Sequence, residues 1–256
     1  MDIKGKTALV TGGASGLGRA TVEHFVSLGA NVVILDLNDE AGAAVAAAQG
    51  GKVTYVNTNV TDEVAVANAV AVAKDKYGSV DIAVNCAGIG TPQKVLDRDG
   101  NRYPMDHFKK VISINLIGSY NVLAQAAEAM QTNEPNEDGE RGVIINTASV
   151  AAFEGQIGQA AYAASKGGIA ALTLPTAREF SRQGVRVMTI APGFIHTPLF
   201  DGLPEAAVDS LKQQVVFPKR LGKPHEYAKL AAHIIDNAYL NGETIRMDAA
   251  ARMAPK

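Results

Sequence analysis

A single cysteine, Cys86, stands among 256 residues. An intramolecular disulfide is excluded, and the lone thiol suits a reducing compartment. Long basic runs are missing as well. The 24 Lys and Arg meet 26 Asp and Glu, for a formal net charge of −2, which excludes the electrostatic footprint of a nucleic-acid binder. No uncharged apolar stretch reaches the roughly 18 residues that span a bilayer. No signal-peptide pattern opens the chain, because a strand-like run begins almost at once in MDIKGKTALVTGG. Linkers, repeats and low-complexity tracts are absent too. The expectation is one soluble, cytoplasmic domain over residues 1–256, with no metal site, no membrane contact and enough chain for a sizeable core.

What is present is an alternation. Short β-branched runs, TALVTG (7–12), NVVILD (31–36), KVTYVN (52–57), VDIAVNCAG (80–88), GVIINTAS (142–149), GVRVMTIAPG (184–193) and ETIRM (243–247), read as strands. Between them lie Ala-rich amphipathic segments near 17–28, 39–48, 62–77, 105–131, 158–181, 205–214 and 224–236. Near-continuous apolar strands spaced by helices predict an α/β fold with a doubly wound parallel seven-stranded sheet covered on both faces. The polar stretch QTNEPNEDGER (131–141) reads as a solvated loop without chemistry.

TGGASGLG (11–18) follows the first strand and opens the first helix. Gly12, Gly16 and Gly18 would allow a tight turn and close backbone approach to a pyrophosphate, which the helix N-terminus would then bind. The second strand ends in Asp36. A carboxylate there accepts from ribose hydroxyls and repels a 2′-phosphate, and no Arg or Lys stands inside the glycine loop or directly after Asp36. NAD is favoured over NADP on that ground. The plainer alternatives are a Gly-rich turn and a helix N-cap Asp.

The reacting end rests on AAYAASKGG (160–168), which sets Tyr162 one helical turn before Lys166 among small residues. Ser149 ends the fifth strand, and in doubly wound sheets such ends form the ligand crevice. Oxidising a secondary alcohol requires a base for its O–H proton. A free Tyr, with a pKa of about 10, is a poor one near neutrality. A nearby ammonium and an oxidised nicotinamide both favour the phenolate. The small neighbours would leave room for cofactor and substrate. Asn115, inside VISINLIGSYN, would interrupt its helix and could hold a water for proton exchange. Read singly, Ser149 is equally a strand-end cap and Asn115 a buried amide bonded to backbone.

In order, TGGASGLG, Asp36, NCAG (85–88), Asn115, Ser149, YAASK (162–166) and PG (192–193) resemble the short-chain dehydrogenase/reductase family over essentially the whole chain. The three-residue gap between Gly12 and Gly16 matches its single-domain, Rossmann-type branch. The segments 133–175, 186–193, 217–228 and 240–253 are similar to a narrower group, the type 2 3-hydroxyacyl-CoA dehydrogenases, which oxidise short and branched 3-hydroxyacyl-CoA esters with NAD. The resemblance implies that activity, reversibly, by a Tyr general base and hydride transfer. The alternatives are a stereoselective carbonyl reductase or secondary alcohol or hydroxysteroid dehydrogenase, and a non-catalytic NAD-binding scaffold.

By the same resemblance Ser149, Tyr162 and Lys166 are catalytic and Asn115 completes the set. Ser15, Leu17 and Asp36 hold the adenosine and pyrophosphate half with the three glycines, and Asn59 and Val60 flank the adenine. Cys86, Ala87 and Gly88 line the cofactor, as do Pro192 and Gly193, and Ile195 and Thr197 contact the carboxamide. Gln156 and Gln159 join Ser149 and Tyr162 around the substrate. A substrate loop covers about 195–216. A homotetramer is implied, with helices 105–131 and 158–181 pairing across two-fold axes. Three places depart from the pattern. Position 59 is Asn where Asp is usual, and its amide oxygen would still accept from the adenine amino group. Cys86 replaces a common Asn and reads as a small packed residue. Segment 91–104 carries Lys94, Arg98 and Arg102, which face either solvent or CoA phosphates.

Overall fold

Seven strands form one sheet, β1 (Thr7–Thr11), β2 (Asn31–Asp36), β3 (Val53–Asn57), β4 (Ile82–Asn85), β5 (Gly142–Thr147), β6 (Val185–Pro192) and β7 (Thr244–Met247). The computed structural model describes residues 1–198 and 205–255. Every pairing is parallel, in the order β3-β2-β1-β4-β5-β6-β7. The order reverses between β1 and β4, and crevices open at that switch point in such sheets. Between the strands run α1 (Gly16–Ser27), α2 (Asp39–Ala48), α3 (Glu63–Tyr77), α4 (Asp106–Ile112), α5 (Gly118–Met130), α6 (Ala151–Glu154), α7 (Ala160–Glu179), α8 (Glu205–Gln214) and α9 (Pro224–Asp236).

The period-2 geometry of a strand sends successive side chains to opposite faces. Ala8, Val10, Val32 and Ile34 point to one side, where Phe25 of α1 and Tyr227, Ile234 and Ile235 of α9 cover them. Leu9, Val33 and Leu35 point to the other, under Ala69 and Ala73 of α3 and Leu123 and Met130 of α5. Both layers are dry, with these side chains almost wholly buried. Among the described residues no helix is long and apolar enough to cross a membrane.

Four features differ from the sequence reading. Strand 80–88 pairs only over Ile82–Asn85, because the N–H groups of Cys86 and Ala87 both donate to the Thr11 hydroxyl, each at 3.0 Å. The helix expected over 105–131 is two helices joined by a π-turn at Ser113–Ile117, with Asn115 buried in it. A short helix, α6, was not foreseen. The loop 131–141 is not wholly solvated, because Glu140 is buried and meets Arg186 of β6 at 2.7 Å. Of the segment 195–216 expected to form a substrate loop, residues 199–204 lie outside the described residues.

Candidate active site

One cavity of about 570 Å³ runs along the C-terminal rim of the sheet, across the switch point. Its wall begins at Asn59 and Val60 after β3, passes Asp36 and the glycine loop, and crosses Cys86, Ala87 and Gly88. It ends among Ser149, Tyr162 and Lys166, opposite Pro192, Gly193, Ile195 and Thr197.

The glycine loop is shaped for backbone contact. Gly12 has φ +63°, and a Cβ there would lie 3.0 Å from the Ala87 nitrogen. A Cβ at Gly18 would lie 2.2 Å from the Gly12 oxygen, so only glycine lets α1 pack this closely on the turn. Ser15 is the N-cap of α1 in extended conformation, and its carbonyl takes the Arg19 N–H at 2.9 Å. The N–H groups of Gly16, Leu17 and Gly18 precede that first helical bond and stand at the positive end of the helix, beside the cavity. Asp36 braces the loop: one carboxylate oxygen accepts from Ala14 N and the other from Asn38 N, each at 3.0 Å. Each oxygen keeps a lone pair for a diol. A pyrophosphate and a ribose fit this cradle.

At the other end, Ser149 follows β5, and α7 brings Tyr162 across to it. The Ser149 hydroxyl accepts from Ala151 N at 3.1 Å. Burial pushes the Tyr162 phenol above its ordinary value, and a hydrogen bond with Ser149 pulls it partway back. Lys166 is 5% exposed and its ammonium donates to the Thr147 carbonyl at 2.7 Å. Burial lowers its pKa to about 8, against a weak opposing pull from Cys86. Its nitrogen lies 5.8 Å from the Tyr162 ring centre.

The ammonium is turned to a carbonyl, and desolvation dominates both groups. A Cβ at Gly168 would lie 2.8 Å from Leu116 of the π-turn, so this glycine lets α7 pack closely there.

Burial of Lys166 has a consequence for stability. Below pH 8 the group is charged in both states, and the folded protein carries the full burial cost. From about pH 8 to its ordinary value of 10.5 the unfolded chain binds the extra proton, so stability rises with pH. The gain is on the order of 3 kcal/mol at most. Thermal unfolding of the cofactor-free protein tests this. Lys166→Met should be relatively more stable than the native chain at pH 7, with the difference shrinking toward pH 10. A pH-independent difference would contradict it.

Asn115 lies behind the cavity wall. Its Oδ1 accepts from Ile89 N at 2.8 Å, and its Nδ2 donates to Ile89 O at 2.9 Å and to the Ser165 hydroxyl at 3.0 Å. Ser165 in turn donates to Tyr162 O at 2.7 Å. The amide has both donors and an acceptor engaged, so it braces Ile89 and the Tyr162 turn of α7 where a water site was expected. Gln156 and Gln159 do not line the cavity: Gln156 Nε2 donates to Ala254 O at 2.9 Å, and Gln159 Oε1 accepts from Gln156 N at 3.0 Å. Gln156 ties the turn to the C-terminal segment, and Gln159 folds the turn itself. Lys94, Arg98 and Arg102 stand exposed on a hairpin closed by a Leu96–Arg102 bridge, away from the cavity lining.

Sequence reasoning missed Thr147, whose carbonyl holds Lys166 and whose hydroxyl shares a 2.7 Å hydrogen bond with the buried Tyr227 hydroxyl. A main-chain acceptor leaves no mark in the sequence, although Thr147 stands two residues before Ser149.

Residues 6–207 match the family model for short chain dehydrogenases. The chain belongs to the short-chain dehydrogenase family. It is an oxidoreductase acting on CH–OH groups, in a family whose chemistry uses a nicotinamide cofactor. The chain is 52% identical over 255 residues to the human 3-hydroxyacyl-CoA dehydrogenase type-2, covering 99% of this chain and 98% of that one. The Drosophila melanogaster protein of the same description is 51% identical over 254 residues, covering 99% and 100%. The crystal structure of 3-hydroxyacyl-CoA dehydrogenase type-2 from Mycobacterium avium superposes with a TM-score of 0.95 at 45% identity, covering 98% of each chain.

Proposed function

We propose that the protein oxidises the 3-hydroxyl of short or branched 3-hydroxyacyl-CoA esters to the 3-ketoacyl-CoA, reversibly, with NAD. The observation that carries the reading is the meeting of Ser149, Tyr162 and buried Lys166 in the same cavity as the glycine loop and Asp36. The names of the full-length relatives support the choice of substrate. When bound, the nicotinamide supplies the hydride acceptor.

The Ser149 hydroxyl holds the substrate oxygen, and the Tyr162 phenolate removes its proton. Burial alone keeps the phenol protonated, so added positive charge at the site is what ionises it. Lys166 would contribute such charge, and from its place beside Gly88 it would hold the cofactor ribose. Asn115 keeps that wall fixed through Ile89 and Ser165. Asp36 favours NAD, since a 2′-phosphate would meet a carboxylate already braced in position.

A homotetramer belongs to this reading. Phe108 of α4, Ile117 of the π-turn, Tyr120 of α5 and Leu174 of α7 are exposed apolar side chains on packed elements, as a second copy would require. A cytoplasmic location fits the free Cys86 thiol.

NADH absorbance during incubation with NAD and (S)-3-hydroxybutyryl-CoA or its 2-methyl analogue tests the proposal. The expected kcat/KM is about 10⁴ M⁻¹s⁻¹ or more, and NADP should be poorer by roughly 100-fold. Slow turnover of both esters beside fast oxidation of an aryl or steroid alcohol would replace the substrate class and keep the chemistry.

A further inference from the structure

We propose that Glu154 of α6 is a positioning residue that seats α8 beside the reacting end, so that it sets the affinity for the substrate and leaves the chemical step alone. The inference rests on the reading above of Ser149 and Tyr162 as that end. Ile195, Thr197 and Pro198 line the cavity with them, and the chain runs on from there into α8. α8 therefore borders the space the substrate must enter.

α8 does not rest on the sheet. Among the described residues, neither apolar cluster on the sheet includes a side chain of α8. Its Val208 and Leu211 instead join a separate cluster with Phe194, Ala251 and Met253. Gln214 Oε1 accepts from Ala254 N at 3.2 Å, and just past the helix Val216 N donates to Ala249 O at 3.3 Å. The segment 248–255, which follows β7, thus carries the helix with Phe194 beside it.

That segment is held in turn by one carboxylate. Ala249 and Ala250 turn the chain back with φ of 50° and 60°, a left-handed pair that non-glycine residues adopt only when their surroundings impose it. Glu154 supplies the hold. Its Oε1 meets Arg246 at 3.0 Å and Arg252 at 3.3 Å, and its Oε2 accepts from Met253 N at 3.1 Å. Asp248 meets the same two arginines at 2.7 and 3.0 Å, so two anions and two cations alternate around the turn. Exposed ion pairs contribute little singly, whereas a network of them fixes a geometry. Glu154 closes α6, the short helix that follows Ser149. One short path therefore ties the hydroxyl that holds the substrate to the helix that borders it.

Steady-state kinetics with (S)-3-hydroxybutyryl-CoA and amide hydrogen exchange over residues 208–214 test this on Glu154→Gln and Met253→Ala. The glutamine can still accept from Met253 N but holds neither arginine by charge. The alanine withdraws the contact with α8 and leaves the network in place. A site whose competent arrangement is only partly populated loses affinity by that fraction. KM for the ester should rise about tenfold in Glu154→Gln, the worth of a hydrogen bond to a charged group, while kcat and NADH binding stay within about threefold of native. Exchange over α8 should quicken by about the same factor. Met253→Ala should move KM and exchange in the same direction, and Met253→Leu should restore both. An unmoved KM would overturn the role in substrate binding, and unmoved exchange would overturn the seat itself. A fall in kcat with KM unchanged would show that Glu154 acts on Ser149 instead, and would overturn the proposal too. If the native chain does not oxidise the ester, the proposed substrate fails, and the same comparison with the alcohol it does oxidise decides the role of Glu154.

Discussion

Tyr162→Phe lowers kcat by about 10³-fold or more while NADH binding stays within roughly threefold of native, because the change deletes a proton acceptor and little else. The phenol oxygen interacts with Ser149 and sits in a pocket that raises its pKa, so the native fold loses only that contact. Ser149→Ala falls in the same direction by less, since the substrate oxygen loses one hydrogen bond but keeps its base. Steady-state turnover and a fluorescence titration with NADH measure the two quantities separately. A Phe variant that keeps more than about a twentieth of native turnover would remove Tyr162 from the role of base. A variant that loses NADH binding along with turnover would show that the tyrosine holds the site together instead.

Arg186→Met costs about 3–5 kcal/mol of stability and lowers Tm by roughly 10 °C in a chain of this size. All five guanidinium N–H groups are used. Nε donates to Glu140 at 2.8 Å, one terminal nitrogen donates to Ile234 O at 2.9 Å and Leu240 O at 2.8 Å, and the other donates to Ile235 O at 3.0 Å and meets Glu140 at 2.7 Å. The residue is buried, as is Glu140. It fastens the end of α9, the turn before β7 and the approach to β5 onto the start of β6, next to the edge strand. Methionine fills much of the volume but leaves three carbonyls without that donor and Glu140 with the Met1 ammonium at 3.1 Å and a long bond from Asn136 Nδ2 at 3.4 Å. Arg186→Lys falls between, since an ammonium has three donors and no planar fork. A shift below about 2 °C in thermal unfolding would show that the network contributes little. The double replacement with Glu140→Met recovers part of the loss, because the stranded carboxylate leaves with its partner.

Much of the fold was legible because period and composition carry it. The apolar runs 7–12, 31–36 and 142–149 became β1, β2 and β5, since strands buried on both faces have no polar positions to spare. The glycine loop could be read from its place between a strand and a helix, and Asp36 from the end of β2. Tyr162 and Lys166 share one side of α7 by helix geometry alone. In the site, the named residues from Gly12 to Thr197 line one cavity, while Asn115, Gln156 and Gln159 stand outside its lining.

Tertiary structure decided which atoms those side chains spend, and on what. Glu140 lay in a stretch as polar as any loop, yet its partner is 46 residues away on β6. Asn115 had the right place for a relay, but Ile89 and Ser165 claim its amide. Lys166 faces a main-chain carbonyl that no residue letter encodes. Asn59 shows the same division at a single residue: its position on the cavity wall follows from the strand order, and the direction of its amide follows from Thr61. Sequence periodicity fixes which face of an element is apolar, because burial is set by the side chain itself. The state of a polar group is set by what lies opposite it, and that is known only when distant segments have been brought together.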